Sequence, residues 1–101
     1  MSKPHHGFPS GYFKIRSRLT GKCLDITGGN TNKGATLIMY NCHNGLNQQW
    51  YADALGRISS RMNGMALSVK DSSRANGARV QTWTADAGEN QQWFVDNVGR
   101  I

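Results

Sequence analysis

The sequence predicts an all-β fold assembled from two copies of one four-stranded unit, and three observations carry that expectation. First, the tetrapeptide Asn47-Gln48-Gln49-Trp50 returns unchanged as Asn90-Gln91-Gln92-Trp93, a period of 93 − 50 = 43 residues. Second, sliding the chain by one period needs no gap between Ile15 and Ile58. Ile15 falls on Ile58, Arg18 on Arg61, Gly21 on Gly64, Leu24 on Leu67, Ile26 on Val69, Gly34 on Gly77, Leu37 on Val80 and Tyr40 on Trp83. Past the tetrapeptide, Tyr51 falls on Phe94 and Gly56-Arg57-Ile58 on Gly99-Arg100-Ile101. A period of this size marks supersecondary units that bury their apolar faces against one another. Third, the apolar residues come in short alternating runs cut by Gly and Asn, as in half-buried strands, and helical periodicity is nowhere sustained.

Residues 1–10 match neither copy and contain both prolines with His5 and His6. They read as a flexible leader whose histidines are solvated rather than metal-binding. Repeat one, residues 13–55, is expected to place strands near Tyr12–Arg18, Lys22–Thr27, Thr36–Tyr40 and Gln49–Asp53. Repeat two, residues 56–98, is expected to place them near Arg57–Arg61, Ala66–Val69, Arg79–Trp83 and Gln92–Val95, with residues 99–101 opening a third strand set. The loop from Gly28 to Gly34 is rich in residues that tolerate positive φ. Trp50 and Trp93 read as core, because a buried Trp supplies a large apolar area. Gln48 and Gln91 precede them by two residues, share their strand face, and read first as support groups for neighbouring polar atoms.

The 101 residues, 38% hydrophobic and 18% charged, suit one small domain. No apolar run approaches the roughly 20 residues needed to cross a bilayer, so membrane insertion is not expected. The opening Met-Ser-Lys-Pro-His-His lacks an apolar secretion core, which favours the cytoplasm, or release without a signal, over secretion. The formal charge of +6 favours contact with acidic surfaces, yet the basic residues are scattered rather than blocked. The six acids are spread out, and no Ser/His/Asp order, phosphate loop or His-rich metal spacing is present. His43 adjoins Cys42, but neighbours on a strand point to opposite faces. Neither catalysis, nor a cofactor, nor a metal site is expected.

Three ordered motifs in the first copy carry a resemblance: Cys23-Leu24-Asp25-Ile26, then Leu37-Ile38-Met39-Tyr40-Asn41-Cys42, then Asn47-Gln48-Gln49-Trp50. Together they resemble one repeat of the ricin B-chain type (R-type) lectin domain. The resemblance implies a β-trefoil, in which three four-stranded units surround a pseudo-threefold axis and a Gln-x-Trp motif marks each. It also implies a non-catalytic lectin for glycans of the galactose type, containing galactose or N-acetylgalactosamine. Carried onto these positions, Asp25 would accept two sugar hydroxyls, Tyr40 would stack on the apolar sugar face, Asn47 would bond a hydroxyl, and Gln48 would orient Asp25. Such a site suits a sugar, which offers vicinal hydroxyls and one face of C–H groups to a carboxylate, an amide and an aromatic ring. Ile38 departs from the family pattern, since many members carry Gln there. Without the resemblance, Asp25 reads as a turn carboxylate beside Gly28-Gly29, Tyr40 as a cap on the core, and Asn47 as a turn residue.

The second copy keeps Gln81, Trp83, Asn90 and Gln91, but Ser68 stands where the first has Asp25. A hydroxyl does not replace the charge-assisted bonds of a carboxylate, and Asp71 reaches in only if its loop bends favourably. A second, weaker site is expected, with Trp83 either an exposed platform or packed in the barrel or an oligomer contact. Cys23 and Cys42 occupy positions that are bridged in many relatives, and Ala66 and Ala85 at both equivalents suggest that the pair acts as a unit. A disulfide and two free thiols both stay open, because a bridge suits an oxidising space and the absent secretion signal suits a reducing one.

A trefoil takes three units, whereas this chain carries two and the start of a third, leaving an open β edge and an uncovered apolar face. The chain is then a fragment, a part of an assembly, or a smaller closed object. A homo-oligomer is favoured, because three chains of two units hold enough for two trefoils. The rival function is binding of polyanions, sulfated glycans or nucleic acid, by Arg16, Arg18, Arg57, Arg61, Arg74, Arg79 and Arg100. Arg18 with Arg61, and Arg57 with Arg100, are repeat-equivalent, which suits structural or solvated roles and makes nucleic acid the disfavoured partner.

Overall fold

Runs of apolar residues closed within a few positions by Gly, Asn or Asp leave room only for short strands. In the computed structural model, which describes residues 6–101, there are six: β1 (Cys23–Ile26), β2 (Leu37–Tyr40), β3 (Trp50–Ala52), β4 (Ile58–Ser60), β5 (Ala66–Val69) and β6 (Val80–Trp83). Residues 1–5, including His5 and the start of the expected leader, lie outside the described residues. β1 pairs antiparallel with β2, and β3, β4, β5 and β6 form one antiparallel sheet in that order. Cys23 faces Tyr40 in the first hairpin, and Ala66 faces Trp83 in the second, so the two registers are the same one period apart. Single 3-10 turns at Thr27–Gly29, Leu46–Gln48, Lys70–Ser72 and Glu89–Gln91 repeat in the same way. No α-helix occurs among the described residues, and the fold is all-β.

Two expected strands are not formed as such. The segment Tyr12–Arg18 is reduced to isolated bridges from Phe13 to Trp50 and from Arg16 to Cys23. The segment Gln92–Val95 makes single backbone bonds instead, with the Trp93 N–H donating to Gly56 O at 2.8 Å and the Val95 N–H to His6 O at 3.0 Å. Tyr12–Arg18 meets β3 and β1 at one residue each, whereas for Gln92–Val95 the physical reason is the missing ladder partner. β3 is held by β4, and one period further on the place of β4 begins at Ile101, the last residue of the sequence.

The core joins Phe8, Ile26, Ala35, Trp50, Ala52, Ile58 and Leu67. Phe8 corrects the expectation of a loose leader at its described end: it is 2% exposed and stacks on Phe13 with ring centroids 5.8 Å apart. Lying outside the repeats, it carried no periodic signal. Trp50 is fully buried, whereas Trp93, also expected in the core, is only half-buried because one flank lacks the paired strand that covers Trp50.

The turns that end each unit are fixed by one device used twice. Asp53 Oδ1 accepts the N–H groups of Leu55 and Arg57, and its Oδ2 accepts Arg57 Nε at 2.6 Å. Asp96 does the same with Val98 and Arg100. Burial alone would raise the Asp53 carboxyl, but the bonds from Arg57 and Leu55 outweigh it and hold the group below the ordinary carboxylate range. The Arg100 N–H and guanidinium lower Asp96 likewise.

Phe8→Ala should lower stability by about 3 kcal/mol, read as a lower urea midpoint, and an unchanged midpoint would place the ring outside the core. The depressed carboxylates contribute stability above the unfolded range near about pH 4 and lose it as the pH falls through their folded values. The urea midpoint should therefore drop on acidification below about pH 4, and Asp53→Asn should flatten part of that drop.

Candidate functional site

The first hairpin and the turn after it bring together residues far apart in sequence. Asp25 comes from β1, Ile38 and Tyr40 from β2, His43 from the following connection, and Asn47 from the turn Leu46–Gln48. With Thr27 and Gly28 they line an open pocket of about 400 Å³. Asp25 is 3% exposed, and both its oxygens are engaged. Oδ1 accepts Asn47 Nδ2 at 3.0 Å, and Oδ2 accepts Gln48 Nε2 at 2.7 Å. His43 Nε2 lies 3.6 Å from the same Oδ2. Gln48 is fully buried behind the pocket wall, where it also donates to Asn41 O at 2.9 Å and accepts the His43 N–H at 2.9 Å. Tyr40 is exposed and does not cap the core. Of the residues singled out by sequence, then, Asp25, Tyr40 and Asn47 share one pocket, and Gln48 supports it from beneath.

The second hairpin forms the same pocket one period later, larger at about 550 Å³, with Ser68, Lys70, Asp71, Gln81, Trp83, Asp86 and Asn90 among its lining residues. Asn90 Nδ2 donates to Ser68 Oγ and to Val69 O, both at 3.1 Å. Gln91 is fully buried, donates to Thr84 O at 2.9 Å and accepts the Asp86 N–H at 2.8 Å. Trp83 is 40% exposed and carries Lys33 over its ring at 5.4 Å, so it is neither sealed in a barrel nor fully bare. The turn at Asp71 takes a left-handed backbone, φ 56°, where the first copy has Gly28 at φ 62°. Asp is among the few non-glycine residues that adopt this conformation readily, and the bend sets Asp71 on the pocket wall. Sequence reading weighed His43 only as a neighbour of Cys42 and passed over Asp86, although sliding the chain by one period sets one upon the other.

Cys23 and Cys42 form a disulfide with Cα atoms 5.1 Å apart across a sequence separation of 19. It ties the start of β1 to the residue before His43, and a loop of that length is stabilised by about 3 kcal/mol in the chain-entropy account. Among the described residues there is no cluster of His, Cys, Asp and Glu suited to a metal ion, and no helix long and apolar enough to cross a membrane.

Paired antiparallel units, each presenting a shallow pocket of aromatic, amide and carboxylate groups over a buried glutamine, define a repeat-built all-β architecture. The model of the ricin-type β-trefoil lectin domain matches residues 11–101, and the chain belongs to that family. Among solved structures it is similar to ThreeFoil, a designed 3-fold symmetric protein, with 39% identity and a TM-score of 0.80, covering 83% of this chain and 63% of that one. It is similar to 1,3Gal43A, an exo-β-1,3-galactanase from Clostridium thermocellum, with 33% identity and a TM-score of 0.76, covering 86% of this chain and 20% of that one. The C-half of the earthworm R-type lectin, solved in complex with GalNAc, is 25% identical with a TM-score of 0.51, covering 80% of this chain and 94% of that one. The chain thus spans less than two thirds of the first two structures.

Proposed function

We propose that this chain is a non-catalytic carbohydrate-binding module whose main site is the first pocket and whose ligands are galactose-type sugars. The observation that carries the reading is Asp25: a carboxylate 3% exposed, aimed by Gln48 and Asn47, at the floor of a pocket walled by Tyr40. A carboxylate held this way keeps acceptor lone pairs for vicinal hydroxyls without reorganising, and charge-assisted bonds are the strong ones. Tyr40 supplies the flat apolar surface that the C–H face of a galactoside needs. The GalNAc complex of the earthworm lectin half supports the sugar class. The second pocket, with Gln81, Trp83, Asn90 and the supporting Gln91, is the weaker site for such a ligand, since Ser68 offers no charge.

The polyanion reading has less behind it. Arg57 and Arg100 are bound to Asp53 and Asp96, Arg16 Nε bonds Gly21 O, and Arg61 bonds Gln49 Oε1 while lying 4.1 Å over the Tyr12 ring. These cations are occupied in holding turns and loops.

Completion of the trefoil by further copies of the chain is part of the same proposal. Phe94, 66% exposed, with Val98 and Ile101, leaves apolar surface beside the half-buried Trp93, and the unpaired segment there offers a ladder edge. Several weak sites on one assembly would raise avidity by factors of about 100 or more.

Asp25→Ser is the informative variant, because the second unit already accommodates Ser at that position with Asn90 bonded to it. It should keep the folded spectrum and lose about 10-fold to 100-fold in galactose affinity by calorimetry; undiminished binding would remove Asp25 from the site. Sedimentation equilibrium should give a mass of several chains, falling on Phe94→Lys. A monomer at all concentrations would refute completion by other copies.

A further inference from the structure

The second pocket repeats the first position by position, yet at the seven shared places only Asn47 is kept, as Asn90. Negative charge leaves the floor and reappears on the walls: Ser68 replaces Asp25, while Asp71 replaces Gly28 and Asp86 replaces His43. Among the described residues Asp71 has no hydrogen bond or ion pair, and the Asp86 carboxylate accepts only the Gly88 N–H, at 2.7 Å. Of the six acids in the chain, Asp53 and Asp96 are paired with arginines and Asp25 is held in the first pocket. The other three, Asp71, Asp86 and Glu89, all stand at or beside the second pocket.

A second observation points to a ligand. Gln81 is 8% exposed, lines this cavity, and its carboxamide has no hydrogen-bond partner among the described residues. With its side chain more than nine-tenths buried and no protein partner, this carboxamide presents its donor and acceptor to whatever enters the cavity. Beside it Trp83 offers an aromatic face.

Wall carboxylates open to water gain little from neutral hydroxyls, because water competes for the same bonds on equal terms. They do attract a cation, and a cation over an indole gains further. Lys70 also lines the pocket and opposes one carboxylate, while Lys33 lies over Trp83 without lining the pocket and Arg74 lies in the adjoining depression. In the lining itself the two carboxylates exceed the one lysine, while Glu89 and Arg74 in the adjoining depression offset each other. We propose that the second pocket selects an amine-bearing sugar, a hexosamine whose amino group is free and protonated. The ammonium would sit between Asp71 and Asp86, and the ring hydroxyls would pair with Gln81 and Asn90. This rests on the lectin reading only in taking the ligand to be a saccharide.

The test is a titration of the whole chain with galactosamine, N-acetylgalactosamine and galactose at about pH 6, below the usual amine range. The readout is the Trp83 indole N–H resonance, assigned with Trp83→Phe. Galactosamine should shift that resonance with an affinity about tenfold or more above the N-acetylated and neutral sugars. The shift should persist in Asp25→Ser and be lost in Asp71→Asn/Asp86→Asn, a pair chosen because Asn also accepts a left-handed backbone and can keep the bond from Gly88. Equal binding of N-acetylgalactosamine at Trp83, or galactosamine binding unaffected by the double substitution, would overturn the proposal. A neutral galactoside bound through Asp25 while galactosamine leaves Trp83 unmoved would sink this inference alone, whereas no response to any sugar at either pocket would sink the lectin reading with it.

Discussion

A glutamine carboxamide that water cannot reach lies beneath each pocket, and the geometry of both follows from it. Gln48 accepts the His43 N–H and donates to Asn41 O, so it closes the end of the first hairpin onto the turn that carries Asn47. Gln91 closes the second in the same way through Asp86 N–H and Thr84 O. Two residues later, past the 3-10 turn that holds each glutamine, Trp50 Nε1 donates to Leu24 O at 3.3 Å and Trp93 Nε1 to Leu67 O at 3.1 Å. Each Gln-x-Trp pair therefore clamps one hairpin at two points, its end and its first strand. Removing the carboxamide would leave a backbone donor and a backbone acceptor unpaired, at a cost of about 1–3 kcal/mol each.

Because the clamp bonds to backbone, it does not dictate the pocket side chains. Gln48 adds a bond to the Asp25 carboxylate, while Gln91 keeps its backbone partners and makes no bond to Ser68. Asn47 and Asn90 adapt as well, one donating to a carboxylate and the other to a hydroxyl from the same place. The floor position can thus change charge without loosening the fold, and the two pockets differ in the chemistry of their lining while sharing one register. Gly28 and Asp71 show the same freedom on the wall, where a left-handed turn is kept although the side chain goes from none to a carboxylate.

Most of this was legible from one sequence, because periodicity speaks twice wherever a repeat exists. β5 (Ala66–Val69) fell where alternation put it, and the hairpins followed from matched apolar runs. What escaped lay outside the period or beyond nearest-neighbour patterning. Phe8 belongs to neither copy, so nothing in the repeat showed that its ring fills the core. The 3-10 turns are too short to leave a periodic trace. Gln92–Val95 has strand-forming composition, but a ladder needs a partner, and composition does not say whether one is present. The transposition of charge from Asp25 to Asp71 and Asp86 was written in the alignment of the chain with itself, yet it gained meaning only once all three positions were seen on one cavity.

The pockets and the barrel make different demands on the chain. Each pocket is completed within one unit, the first from residues between Asp25 and Asn47 and the second from residues between Ser68 and Asn90. Its integrity depends on a hairpin, a turn and a glutamine, and in the first unit on the added tie between Cys23 and Cys42. The barrel depends on pairings between units, of which β3 with β4 is the one fully formed strand pair among the described residues. Where the next such pairing would fall, Trp93 is half-covered and Phe94 faces out. Pocket geometry is therefore local and stability is shared, so any element that completes the barrel acts on the rigidity of the pockets more than on the chemistry of each one.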